Sequence, residues 1–288
     1  MKRLIYSLMV LMCLTACDKV DLDDIEADGT MPSIMFTTFT SSLTDYDDTR
    51  ATLADAKCAT LDFAMFTADG TLYRSIQQTK TDTGFGTISL DEIPYGEYTI
   101  VVVGNAGDVH ASIYSNSLVD FGGKVYDTFC RYMTLSVNKS TSAQQQIELR
   151  RITSKLTIKT TDAVPAKVRT VEIQSTGGCT SFNPQTGLAS SSAITSRTIS
   201  ADVSSVAGKT LTYSLLTFLP KEECNISAVV SAKDAEGTTL YSASIPSARM
   251  KVNCQTVYSG RLFVDPSVSA SASITVNADW ADTFSYTF

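Results

Sequence analysis

From Pro32 onward the chain alternates apolar and polar residues with a period of two, the mark of half-buried strands. In "CATLDFAMF" (58–66), Leu61, Phe63 and Met65 point one way and Asp62 the other. "TADGTLY" follows, and its Asp69-Gly70 is a hairpin signal. "GTISLDEIPYGEYTIVVVGNAGD" reads as strand, turn, strand: Pro94 and Gly96 bracket the turn, and Tyr98, Ile100 and Val102 share one face. Upstream, "SIMFTTFTSSL" carries strand formers, and the polar "TDYDDTRATLADAK" after it reads as a loop. "RYMTLSVNKS" and "QQQIELRRI" form a further pair, and strand-like runs continue to "SASITVNADW". Turn signals recur at Gly177-Gly178, Asn183-Pro184, Glu236-Gly237 and Asp265-Pro266. The stretch from Ala106 to Gly123 is poorly patterned and is expected to be a loop with a short helix. The Ser-rich "ASSSAITSRT" (189–198) is expected to be a surface loop. Short strands at this spacing predict an all-β fold of sandwiches. The series is too long for one sandwich, and a break is expected between Arg150 and Ser154.

The first residues follow a different logic. Lys2 and Arg3 precede the apolar run Leu4 to Leu14, and Thr15 and Ala16 are small. That is the order of a secretory signal peptide, and the run is shorter than the roughly 20 residues of a spanning helix. "LTAC" (14–17) resembles the bacterial lipobox, which implies cleavage before Cys17 and acylation of that cysteine. Each buried methylene of an acyl chain adds about 0.8 kcal/mol, so several chains make a lasting tether. The expected organisation is a signal peptide over 1–16 and an acidic tether over 17–30. "DKVDLDDIEAD" resembles the export signal that sends lipoproteins of Bacteroidetes to the outer face of the outer membrane; it also reads as a solvated tether.

Charge narrows the partners. Lys+Arg is 23 and Asp+Glu 30, a net −7; removing Lys2 and Arg3 takes Lys+Arg to 21 and the net charge to −9. Nucleic acid and anionic membrane surfaces are therefore poor main partners. Few charges and many serines and threonines suit an extracellular β protein. With Cys13 in the signal and Cys17 on lipid, Cys58, Cys130, Cys179, Cys224 and Cys254 remain, an odd number. An exported chain can form disulfides, but spacing does not fix their connectivity. The only histidine is His110, with Asp108 two residues before it; no G-x-S-x-G elbow accompanies it, so it is read as a loop residue. Asp21, Asp23 and Asp24, and again Asp45, Asp47 and Asp48, lack the EF-hand pattern and read as solvated charge. The Gly84–Gly86 stretch reads as a turn rather than a nucleotide loop. No enzyme, metal or cofactor is expected.

Three stretches in order resemble the fimbrillin-like subunits of Bacteroidetes type V pili and their lipoprotein anchors: "LDFAMFTADGTLYRSI", "IPYGEYTIVVVGNAGD" and "DTFCRYMTLSVNKSTSAQQQIELRRITSKLTIKTTDAVPAKVRTVEIQ". The sequence departs from that family where Val101 to Val103 replace its usual tryptophan, and in its many cysteines. The resemblance implies two tandem transthyretin-like Greek-key sandwiches, over 31–152 and 153–288. It implies a structural, non-catalytic surface lipoprotein: a fimbrial subunit, or an accessory or anchor component, in cell adhesion. Its partners would be other pilus subunits, joined by donor-strand exchange, and outer-membrane lipid through Cys17. In polymerising members an N-terminal strand is cut away after an arginine, and a neighbour's strand fills the groove. On that resemblance residues 33–40 are the candidate removable strand and Arg50 the candidate processing site; in an anchor or tip subunit the strand would stay and Arg50 would be a loop residue. At the other end, Phe284, Tyr286 and Phe288 alternate as a donor strand would, or belong to the last strand of the second sandwich with Trp280 in its core. The rival function is a glycan-binding surface lipoprotein of a polysaccharide-uptake system, disfavoured by the single Trp280.

Overall fold

The computed structural model describes residues 31–40, 52–53, 57–190, 195–264 and 282–287. Among them the only helical element is one 3-10 turn, Ser204–Val206; all else regular is strand. In order these are β1 (Ile34–Thr40), β2 (Thr52–Leu53), β3 (Thr60–Thr67), β4 (Leu72–Thr79), β5 (Thr87–Leu90), β6 (Gly96–Asn105), β7 (Ser112–Ser115), β8 (Leu118–Asp120), β9 (Thr128–Val137) and β10 (Gln144–Arg151). Then come β11 (Ser154–Thr160), β12 (Thr170–Gly178), β13 (Ser181–Asn183), β14 (Leu188–Ala189), β15 (Thr195–Asp202), β16 (Thr212–Thr217), β17 (Glu223–Lys233), β18 (Thr239–Lys251), β19 (Cys254–Gly260) and β20 (Asp282–Thr287).

The first ten strands contain a sandwich. One layer is β10-β1-β5, with β2 also beside β1; the other is β9-β6-β3-β4. β10 serves both: Gln144 to Leu149 run parallel to β1, then Arg150 and Arg151 pair with β9. Between the layers Ile34, Phe36, Ile88, Ile147 and Leu149 meet Leu61, Phe63, Met65, Ile100 and Val102. A second sandwich sets β16-β11-β19-β20 over β15-β12-β17-β18 around Leu156, Ile158, Ile173, Leu215, Val230 and Met250. The Asp69-Gly70 signal closes the β3–β4 hairpin, where Asp69 Oδ1 accepts from the Thr67 hydroxyl at 2.5 Å and the Thr71 N–H at 3.0 Å.

The outer face of β3 and β6 is covered too. Ala64, Phe66, Val101 and Val103 pack with Val119, Phe121, Cys130, Ile152, Cys179, Phe182 and Phe218. Val101, Val102 and Val103 are each 0% exposed, which is why an unbroken apolar run stands in β6: a strand buried on both faces does not alternate. A small sheet, β14-β13-β8-β7, lies with this layer, and in it Phe182 of β13 pairs with Val119 of β8.

Three expectations are corrected. The stretch from Ala106 to Gly123 contains the β7–β8 hairpin and no helix, because Val119 and Phe121 are buried in the extra layer. Gly177-Gly178 is not a turn but a bulge in β12; a β-carbon on Gly178 would collide with the Thr217 hydroxyl, so glycine there permits close approach. The 189–198 stretch is not all loop, since β15 begins at Thr195 and pairs along β12. Asp265-Pro266 and Trp280 lie outside the described residues.

The link from β10 to β11 is fixed by one ion pair. Arg151 donates through Nε to Asp127 Oδ1 at 2.8 Å and through Nη2 to Oδ2 at 3.1 Å, with the guanidinium 4.8 Å from the Phe129 ring centre. Thr153 donates its hydroxyl to Asp127 Oδ1 at 3.1 Å, and its carbonyl accepts the Asn253 N–H at 3.0 Å.

Packing around Cys58 yields a test. A β-carbon on Gly104 would sit 2.6 Å from Cys58 Sγ and 3.3 Å from Leu149 Cδ1. Gly104→Ala should therefore cost about 1–3 kcal/mol in a denaturant titration, as overpacked cores do. Cys58→Ala in the same chain should return part of that cost; strictly additive losses would show that the contact is not the cause.

Candidate functional site: the first strand and its groove

The sequence of β1, Ile-Met-Phe-Thr-Thr-Phe-Thr, alternates, and the strand obeys: Ile34, Phe36, Thr38 and Thr40 are buried. Phe36 packs on Phe63 with ring centres 5.4 Å apart. Both edges of the strand are paired. One side runs parallel to β10, from Met35 opposite Gln144 to Thr40 opposite Leu149. The other is antiparallel to β5, with Ile34 opposite Leu90 and Thr37 opposite Thr87, and then to β2 at Phe39 and Thr40. Beyond β5, the Gly86 carbonyl accepts both the Thr38 N–H at 2.8 Å and the Thr38 hydroxyl at 3.0 Å. At the strand's start, the Pro32 carbonyl accepts the Ile93 N–H at 3.0 Å. β1 is thus an interior strand, and its vacated place would be a groove walled by Phe63, Ile88 and Ile147 with unpaired backbone on both sides.

The other sequence-derived positions distribute as follows. Cys17, Arg50 and the two aspartate clusters lie outside the described residues. β20 runs parallel to β19 along the edge of its own sheet, Cys254 opposite Asp282 and Ser259 opposite Thr287. Cys58, Cys130, Cys179 and Cys224 carry free thiols, and burial pushes Cys58 up to about 12 and Cys130 higher still.

One polar cluster escaped the sequence reading. Asp62, 2% exposed, faces the extra layer rather than solvent. Its Oδ1 lies 2.8 Å from His110 Nδ1 and accepts from Gln77 Nε2 at 2.9 Å, and its Oδ2 accepts the Ala111 N–H at 2.8 Å. Asn105 ties the start of the same loop, donating to Thr60 Oγ1 at 2.6 Å and the Val109 carbonyl at 3.1 Å while accepting the Gly107 N–H at 2.7 Å. His110 is therefore the clasp of the 105–111 loop. The available signal was a charged residue inside an otherwise apolar strand, "LDFAMF", in a chain with one histidine. Burial raises the Asp62 carboxyl above the ordinary 3.8, against the downward pull of Ala111, His110 and Gln77.

A family model for the fimbrillin-A associated anchor proteins Mfa1 and Mfa2 matches residues 30–283. Among solved structures, a candidate adhesin from Bacteroides ovatus is 13% identical, with TM-score 0.51 over 76% of this chain and 84% of that one. A candidate cell adhesion protein from the same species is 14% identical, with TM-score 0.50 over 84% and 96%. The fimbrial anchor protein Mfa2 from Porphyromonas gingivalis is 14% identical, with TM-score 0.46 over 74% and 81%. At these identities the first two likenesses speak to the fold. The comparison with curated proteins returned no match.

Two outcomes follow from the geometry. Phe36→Ala should cost about 3–5 kcal/mol and make β1 the first segment to lose amide protection in hydrogen exchange; loss spread evenly over the sandwich would contradict a separately held strand. For Asp62, the raised value means that folding favours the protonated acid. That contribution is fully present below pH 3.8 and is lost as pH rises through the raised value. Denaturation midpoints of wild type and Asp62→Asn should then diverge in favour of the variant over that rise, and a constant difference would refute the burial account.

Proposed function

The chain belongs to the family of fimbrillin-A associated anchor proteins, and on that premise we propose that it is a lipid-tethered fimbrial anchor that engages other subunits by strand complementation. The family fixes the coarser part: a structural protein of fimbriae, at the cell surface, associated with other fimbrial subunits and with adhesion. The finer part is our reading. Cys17 carries the lipid that holds the protein to the outer membrane, and β1 fills a groove built to receive a strand. The single observation behind this reading is the double pairing of β1. It contributes Ile34 and Phe36 to the core, yet it joins the rest of the fold through a polar stretch that contains Arg50. Polar connecting stretches are where nicking concentrates, and Arg50 stands in one. Cleavage after Arg50 would part β1 and Cys17 from everything downstream, converting a tethered base into a subunit with a vacant groove.

Fractionation tests the tether. Cys17→Ala should move the protein from the membrane to the soluble fraction, and unchanged retention would rule out acylation at that residue. Limited trypsin treatment of the tethered form tests the second arm. The product beginning at Ala51 should leave the membrane and form SDS-resistant complexes with fimbrial subunits; a released product that stays monomeric in their presence would exclude acceptance of a strand at the β1 groove.

A further inference from the structure

We infer that the β1 groove is selective by size and chemistry: it takes an uncharged strand bearing an aliphatic, an aromatic and then two small hydroxyl residues at alternate positions, and it rejects β20 of a second copy. The inference rests on the strand-complementation reading and adds to it the kind of strand that fits.

The four inward positions are unlike one another. Ile34 and Phe36 sit in the apolar core, and Phe36 meets the Phe63 ring. Thr38 is 0% exposed, and both its N–H and its hydroxyl are spent on the Gly86 carbonyl. Gly86 cannot readily recede to admit something larger. Its own N–H donates to Gln78 Oε1 at 3.0 Å, and Gln78 Nε2 donates to the neighbouring Thr87 carbonyl at 2.8 Å. Gln78 belongs to β4 in the facing layer, so one side-chain amide holds Gly86, the residue beside Thr38 in the sheet, from across the sandwich. Thr40, 2% exposed, ends the series, opposite Leu149 of β10 on one edge and Thr52 of β2 on the other.

β20 has the wrong order of residues. One parity offers Thr283, Ser285 and Thr287, which leaves the two large subsites underfilled. The other offers Phe284 and Tyr286, and filling the first two subsites with them puts Phe288 where only a small hydroxyl residue fits. A strand that takes the place of β1 is therefore not β20; it runs parallel to β10, as β1 does, and presents a hydroxyl at its third inward position.

The test uses the full chain with a site-specific protease sequence built into residues 41–50, cut and then offered fluorescent peptides. A peptide of residues 31–42 should exchange into the groove, and its Thr38→Ser form should bind within about threefold of it. The Thr38→Phe form should bind at least about tenfold more weakly, as overpacking at a clamped site demands. A peptide of residues 279–288 should do no better than its scrambled counterpart. In protein carrying Gln78→Ala, the discrimination against the Thr38→Phe peptide should narrow. Binding of the Thr38→Phe or 279–288 peptide within about threefold of the parent would overturn the selectivity and leave strand complementation standing. Undiminished discrimination in Gln78→Ala would overturn the clamp as its cause. Failure of the parent peptide to exchange at all would remove the reading that the β1 groove accepts a strand.

Discussion

Strand β1 is hydrogen-bonded along both edges, and the first sandwich depends on that double pairing. Without β1, the inner edges of β10 and β5 would each face an empty lane, and the core between the layers would lose Ile34 and Phe36. Each such side chain is worth about 1.5–3 kcal/mol of burial, and unpaired backbone in a dry groove costs more. A vacancy is therefore too costly to persist. In this structure its own strand fills that place, and on the proposed scheme the chemistry of the site lies in which strand does.

The elements around the first sandwich brace the strands that line β1. The layer formed by Phe66, Val101, Val103, Phe121, Phe182 and Phe218 backs β3 and β6, the strands that carry Phe63 and Ile100 into the groove's far wall. Residues of β8 and β13, far apart in the chain, pair to close this layer. The Arg151–Asp127 pair fixes the point where β10 ends, and β10 is the strand that lines β1. Removing one partner of such a half-buried pair leaves the other charge poorly solvated, which is strongly destabilising. The His110–Asp62 clasp pins the outer layer from the loop side.

How much of this was legible in the sequence depended on how local the cause was. β3, β6 and β1 could be read because alternation and the Asp-Gly and Pro/Gly turns are contained in the segments themselves. The β7–β8 hairpin could not. β8 is three residues long, and what buries Val119 is Phe182, which local patterning cannot reveal. Gly177-Gly178 misled for a related reason: the space that requires glycine is set by Thr217 from another strand. Asp62 and His110 lie 48 residues apart, so a charge in an apolar strand could be noticed but its partner could not be named. The β1 groove was legible only as a possibility attached to residues 33–40; the Gln78 clamp on Gly86, which gives it character, is a matter of three-dimensional packing.

The tether and the groove are linked by chain order. Cys17 and β1 both precede Arg50, so on the proposed scheme a molecule that keeps its lipid also keeps its strand. An intact β1 is attached to its groove through a short segment, and a strand so attached competes at an effective concentration on the order of millimolar. An incoming strand of equal fit loses to it. Cutting after Arg50 breaks no contact in the groove. It makes β1 a separate peptide that dilutes away once it leaves, and from then on occupancy is decided by fit. Selectivity at Thr38 and Gly86 thus has force only after the cut, while the lipid has force only before it. On that scheme a tethered molecule presents a filled groove and meets its neighbours through a strand it donates or an edge it already exposes.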